Sequence, residues 1–225
     1  MIKNFPAMSD PQTFFNDPNS IGHLQQILFD LGGVLYELDF AKFGEGMNRL
    51  RSPQSIHSIE YSLRQQPEVF SLFETGKIST AEFRDRLRSE FKLEASDEAI
   101  DHAWNSLLVG LYGDRVGMLA KLKKKYRLSL LSNINDLHLN AVEHECKELF
   151  ALFEQCFFSH LIGLRKPNQD VFEHVLAGMA AQPEQVLYID DSPQHVETAK
   201  SMGINAIHLA NANDLKAICD RLLVN

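Results

Sequence analysis

The chain has 225 residues, 44% of them hydrophobic and 23% charged, and its 22 basic and 30 acidic residues leave a net charge of −8. Length and composition suit a soluble protein of one domain, or one domain with an insertion, with enough chain for a substantial core. The acidic balance speaks against nucleic acid as a partner, because binding a phosphate backbone calls for a basic face.

Residues 1–23 mix Pro6, Pro11 and Pro18 with Asn, Asp and Ser around a Phe14-Phe15 pair, and no period runs through them. They read as an N-terminal extension or packed arm without chemistry. Ile27-Leu28-Phe29 is a short apolar run followed by Gly32-Gly33, the pattern of a strand buried on both faces. From about Phe40 to Tyr112 the rhythm is helical. Ser79-Thr80-Ala81-Glu82 is a capping-box signature, and Phe83, Leu87 and Phe91 then recur every fourth residue on one face. Ala99, Ile100, Ala103, Trp104, Leu107 and Leu108 form a second stripe. These residues predict an all-helical insertion of four or five helices with the aromatics in its core.

After Gly113-Asp114, helix and strand alternate. A helix over 116–122 precedes a strand over 127–131, and a helix over 137–149 precedes a strand near 156–159. Another helix follows Pro167, then the strand Val186-Leu187-Tyr188-Ile189. Pro193 opens a helix with Val196, Ala199 and Met202 facing inward. A strand over 204–209 and a closing helix to Leu223 complete the chain. Repeated βα units imply a parallel sheet with helices on both faces. The expected architecture is α/β: a Rossmann-like, doubly wound parallel sheet of about five strands (24–39 and 113–225) with an inserted helical domain (40–112).

Other features carry less. Lys121, Lys123, Lys124 and Lys125 fall at a helix end, where cations complement the dipole. Cys146, Cys156 and Cys219 form no CxxC pattern and are expected to be free thiols in a reducing compartment. His144-Glu145-Cys146 are helix neighbours and do not converge on one ion. No run approaches the roughly 20 apolar residues of a membrane helix, and the N-terminus lacks a signal-peptide core. Cytoplasm is therefore expected, without membrane partners; a monomer and a weak dimer both remain open.

Ligands of open parallel sheets bind beyond the carboxyl ends of the strands, and four segments place polar groups there. They are Asp30 in Phe29-Asp30-Leu31-Gly32-Gly33, Ser132-Asn133 after Leu128-Ser129-Leu130-Leu131, Arg165-Lys166-Pro167, and Asp190-Asp191 after Val186 to Ile189. An aspartate ending a buried strand is costly unless paired or bound to a cation. Two adjacent carboxylates repel unless a cation or lysine absorbs the charge. A carboxylate, a hydroxyl, an ammonium and a carboxylate pair on one rim are the parts of a magnesium-assisted phosphoryl-transfer site.

In order and wording the four segments resemble the haloacid dehalogenase-like hydrolase superfamily, over roughly Gln26 to Leu209. The resemblance implies that Asp30 attacks phosphorus and becomes a transient aspartyl-phosphate. It implies that Ser132, Asn133 and Lys166 hold the phosphoryl group, and that Mg2+ is bound by Asp30, the Gly32 carbonyl and Asp191, with Asp190 supporting from behind. The helical insertion matches the family's first type of cap, which excludes water and helps choose the substrate. Two positions depart from the pattern. Most members carry a second aspartate, the acid and base for the leaving group, where this chain has Gly32; Asp39 or solvent are the candidate replacements. Many members carry Asp or Asn where this chain has His195, which reads more readily as a helix-surface residue. Gly32 at that position is shared with a sugar-phosphatase subgroup that includes a bacterial α-D-glucose-1-phosphate phosphatase. The expected function is Mg2+-dependent hydrolysis of a small phosphorylated metabolite, a sugar phosphate by that subgroup. The alternatives are a phosphosugar mutase, disfavoured by Gly32, a metal-free dehalogenase, which would make poor use of Asp190-Asp191, and a relative that binds phosphate ligands without turnover.

Overall fold

A computed structural model of the chain describes residues 14–15, 21–52 and 67–224. Strand β1 (Gln26–Phe29) turns into β2 (Tyr36–Leu38). Helices α1 (Phe40–Arg49), α2 (Glu68–Glu74), α3 (Thr80–Phe91) and α4 (Asp97–Asn105) follow, then strand β3 (Leu108–Leu111). The rest alternates through α5 (Arg115–Leu122), β4 (Arg127–Ser132), α6 (Asp136–Val142), α7 (Lys147–Phe150), β5 (Gln155–Phe158) and α8 (Ser159–Ile162). It continues through α9 (Gln169–Met179), β6 (Val186–Asp190), α10 (Pro193–Ser201), β7 (Asn205–His208) and α11 (Leu215–Val224).

Five strands form one parallel sheet in the order β5-β4-β1-β6-β7. Side chains alternate across a strand, and β1 shows both destinations. Ile27 and Phe29 pack with Leu119, Leu122, Ile218 and Leu222 of α5 and α11 on one face. Leu28 packs with Val171, Phe172, Val175 and Val196 of α9 and α10 on the other. Both faces are covered, which is why β1 and β6 read as unbroken apolar runs. The doubly wound sheet of five strands is the one the sequence predicts.

A separate hydrophobic cluster is built from α1 to α4. Trp104 is its centre, with ring centroids 4.7 Å from Phe83, 4.9 Å from Phe70 and 5.4 Å from Phe43. Ser79 caps α3 by accepting the Glu82 N–H, and Ser96 caps α4 by accepting the Ala99 N–H, each satisfying a donor that the first turn leaves open. Four helices of the predicted insertion lie among the described residues.

The structure differs from the sequence reading in two places. Leu108 does not continue the α4 stripe: the helix ends at Asn105, and Leu108 opens β3, which pairs antiparallel with β2. The helix expected over 137–149 is broken into α6 and α7. In the intervening turn Glu145 accepts from the Tyr36 hydroxyl (2.8 Å) and from the Leu111 N–H (3.1 Å), tying the turn to the β2–β3 pair. Most of the N-terminal extension lies outside the described residues, but Phe15 is a core residue with the Arg221 guanidinium 4.2 Å from its ring centroid.

Helical cluster and sheet interlock beside the sheet's carboxyl edge. The Trp104 indole N–H donates to Asn135 Oδ1 (3.3 Å), and its ring stacks on His138. His138 Nε2 lies 3.2 Å from the Trp104 carbonyl, and its Nδ1 lies 3.2 Å from Asn135 Nδ2. Gly76, at φ +64, sits so close to His160 that a Cβ there would lie 2.2 Å from the His160 carbonyl oxygen.

Candidate active site

Strands β4, β1 and β6 are neighbours, so Ser132, Asp30 and Asp190 meet at one edge of the sheet although a hundred or more residues of chain separate the first motif from the others. Lys166, in the loop after α8, reaches into the gap and is 1% exposed. Its Nζ lies 2.8 Å from Asp30 Oδ1 and 2.7 Å from Asp190 Oδ2, and it donates to the Leu131 carbonyl at 3.2 Å. All three ammonium donors are used, which is what makes a buried charge tolerable.

The carboxylates around it are not equivalent. Burial would raise the Asp190 carboxyl, but Lys166 and His195 outweigh it and hold the group well below the usual range. Asp190 also accepts from the Tyr188 hydroxyl and from the Ser192 N–H (2.7 Å). It is an anion saturated with partners, fully buried behind the pocket. Asp30 is pushed well above its ordinary value by burial, with Lys166 opposing and the charges of Asp190 and Asp191 adding. Its Oδ1 takes both the Lys166 contact and the Leu31 N–H (2.7 Å). Burial, then the neighbouring Asp190 charge, raises Asp191 to about 6. The Asp191 carboxylate lies against Gly33, whose φ is +70; a Cβ there would fall 2.1 Å from Asp191 Oδ2. Only glycine allows both that backbone conformation and that approach.

An open pocket of about 590 Å³ is lined by Asp30, Gly32, Ser132, Lys166, Asp191 and His195 among others. Two sequence expectations change here. His195 is not a surface residue: its side chain is 14% exposed, and Nδ1 lies 3.0 Å from Asp190 Oδ1. Helical spacing alone could not reveal this, because the partner ends the preceding strand, five residues back. Asp39 is not a replacement acid in this pocket: it caps α1 by accepting the Lys42 N–H (2.9 Å) and is absent from the pocket lining. Arg165 lines the pocket and pairs with Glu74 of α2 at 2.9 Å. The Asn133 carboxamide binds the Lys166 backbone at both ends, accepting its N–H (2.9 Å) and donating to its carbonyl (3.0 Å), so it fixes the lysine loop.

The pocket can hold a cation. Asp30, Asp190 and His195 offer ligand atoms within 4.8 Å of one another. Because Asp190 is already engaged by four groups, Asp30 and Asp191 are the carboxylates that face the pocket. A second cavity, open to solvent, adjoins the first at Gly32, Leu38, Ser132 and Asn133.

Compared with known proteins, residues 24–203 match the haloacid dehalogenase-like hydrolase family. The chain belongs to this family. It is therefore a hydrolase, and the sequence resemblance is confirmed at that level. A D-ribitol-5-phosphate phosphatase of Bacteroides thetaiotaomicron is 24% identical over 85% of this chain and 94% of its own. A sesquiterpene phosphatase of Aspergillus oryzae is 26% identical over 82% and 89%. Among solved structures, a family enzyme of Bacteroides thetaiotaomicron, an aspartate-to-alanine variant in complex with magnesium and inorganic phosphate, is 31% identical. It covers 81% of this chain and 92% of its own, with a TM-score of 0.73. The two named relatives are phosphatases; the mutase and the turnover-free binder draw no support from them. Among the described residues no helix is long and apolar enough to cross a membrane, and the three cysteines are free thiols.

Proposed function

We propose that this hydrolase is a phosphatase that removes phosphate from a small phosphorylated metabolite through an aspartyl-phosphate on Asp30. The observation that carries the reading is Lys166, buried between Asp30 and Asp190 at the rim of a pocket that Ser132 and Asp191 also line. The phosphatase relatives support the same chemistry. A sugar phosphate is the substrate class suggested by the subgroup resemblance at Gly32, and a polyol phosphate is the substrate named for the Bacteroides relative.

Asp30 Oδ1 is held by Lys166 and the Leu31 N–H, so Oδ2 is the attacking oxygen. Its lone pair forms the new bond to phosphorus. The bond from phosphorus to the alcohol oxygen breaks, and its electron pair leaves with the alcohol, which takes a proton from solvent because position 32 carries no acid. Water then cleaves the acyl-phosphate, returning Asp30 and releasing phosphate. Ser132, the Asn133 backbone and Lys166 orient the phosphoryl oxygens, a contribution of position and fixed charge. Asp190 keeps Lys166 charged and in place.

The residues fit magnesium. Three carboxylates surround one lysine, and Asp191 is raised to about 6, a local shortage of positive charge among hard oxygen donors that suits this ion. Asp30, the Gly32 carbonyl and Asp191 would hold it, and when bound it would offset negative charge on the phosphoryl group. Helices α1 to α4 would act as the cap (40–112) over the core (24–39 and 113–225), shielding the pocket from bulk water.

Phosphate release from acetyl phosphate tests the reading. Turnover with magnesium, its loss in EDTA, and a drop of about a thousandfold or more in a folded Asp30→Asn variant are expected. Undiminished turnover in that variant would refute the assignment.

A further inference from the structure

Three features lie outside the reacting groups: the buried Arg115, the Glu74–Arg165 pair, and the cavity beside the phosphate pocket. Arg115 donates to the Val34 and Ala212 carbonyls and is accounted for as a structural brace. The Glu74–Arg165 pair joins the cavity wall to the phosphate pocket.

We infer that the cavity between β2, β3 and α6 is the leaving-group subsite, and that it selects phosphomonoesters whose alcohol half is apolar over those of polyols. The inference rests on the phosphatase reading and names its substrate class. The cavity meets the phosphate pocket at Gly32, Leu38, Ser132 and Asn133, so a group esterified to a phosphate held by Lys166 and Ser132 has this space to enter. Its walls include Tyr36, Leu38, Leu107, Leu108, Ile134 and Val142.

Apart from Ser132 and Asn133 at the phosphate end, its polar side chains already have partners. The Tyr36 hydroxyl donates to Glu145. Glu74 pairs with Arg165 at 2.9 Å. His138 is held by Asn135 on one nitrogen and faces the Trp104 carbonyl with the other. A polyol entering this space would give up hydrogen bonds to water and find these groups committed elsewhere, whereas an apolar group gives up nothing. Gly32 strengthens the case. A Cβ at that position would lie 2.6 Å from Leu38 Cδ1, so a leucine methyl occupies the space where a side chain on residue 32 would begin. The entrance to the cavity therefore presents hydrocarbon beside residue 32.

Binding and turnover test this separately. Calorimetry of the full chain with magnesium compares benzylphosphonate with methylphosphonate; hydrolysis compares benzyl phosphate with erythritol phosphate. Benzylphosphonate should bind at least about tenfold more tightly, and benzyl phosphate should be turned over with at least about a tenfold higher kcat/KM. Leu108→Asn, which changes a half-buried wall residue on β3, should bring both ratios close to one. Equal or weaker binding of benzylphosphonate, or faster turnover of erythritol phosphate, in the wild-type chain would overturn the subsite, and this comparison stands even if the variant fails to fold. A benzylphosphonate preference without turnover of any phosphoryl donor, neither the esters nor acetyl phosphate, would instead sink the phosphatase reading and leave the apolar subsite intact.

Discussion

Burial holds the His138 imidazole down to about 4, with the Trp104 carbonyl opposing only in part. The unfolded chain takes up a proton near 6.5, the ordinary value, while the folded chain does not until about 4. The stabilising contribution is therefore complete above the unfolded value and is lost as pH falls toward the folded one. Between about pH 7.5 and about pH 5 the difference in unfolding free energy between wild type and His138→Gln should shrink by about 2 kcal/mol. Urea denaturation of both proteins at the two pH values measures it; a constant difference would show that His138 titrates normally. His195 is the opposite lesson in legibility. Its neighbours in sequence describe a helix, and nothing local shows that the helix's first turn leans over the strand-end aspartate. Asp30 and the Asp190-Asp191 pair were legible because a charge ending an apolar strand violates the local pattern, and Lys166, in a loop, only through the order of the four motifs; His195 violates nothing.

Among the elements, the strands of the sheet were readable because each is short, apolar and bounded by turn residues. The β2–β3 pair was not, since Leu107 and Leu108 extend the apolar spacing of α4, and β3 exists only because Tyr36 to Leu38, about 70 residues earlier in the chain, pair with it. The break between α6 and α7 has the same origin, a long-range tie through Glu145. The seam between helices and sheet makes its own prediction at Gly76. With φ at +64 and the His160 carbonyl oxygen 2.2 Å from the place of a Cβ, Gly76→Ala combines a strained backbone with an overlap that rigid main chain cannot relieve. The variant should lose about 2 kcal/mol or more of stability in urea denaturation. A change within about 0.5 kcal/mol, the range of ordinary surface substitutions, would mean that the seam is looser than the structure shows.

For the molecule as a whole, the parallel topology turns three distant motifs into neighbours: β1 lies between β4 and β6, and Lys166 closes the gap from a fourth segment. Chain order made that convergence readable before any coordinates, because parallel strands deliver their carboxyl ends to one side. The apolar cavity was not readable, because its walls come from β2, β3 and α6, elements whose pairing and boundaries local pattern misassigned. Asp30 itself is proposed to carry the phosphoryl group between substrate and water. Rapid quenching during turnover of acetyl phosphate, followed by borohydride reduction and peptide mass spectrometry, tests it directly. Conversion of Asp30 to homoserine, with Asp190 and Asp191 unchanged, is the expected result; steady phosphate release with Asp30 never reduced would contradict the account.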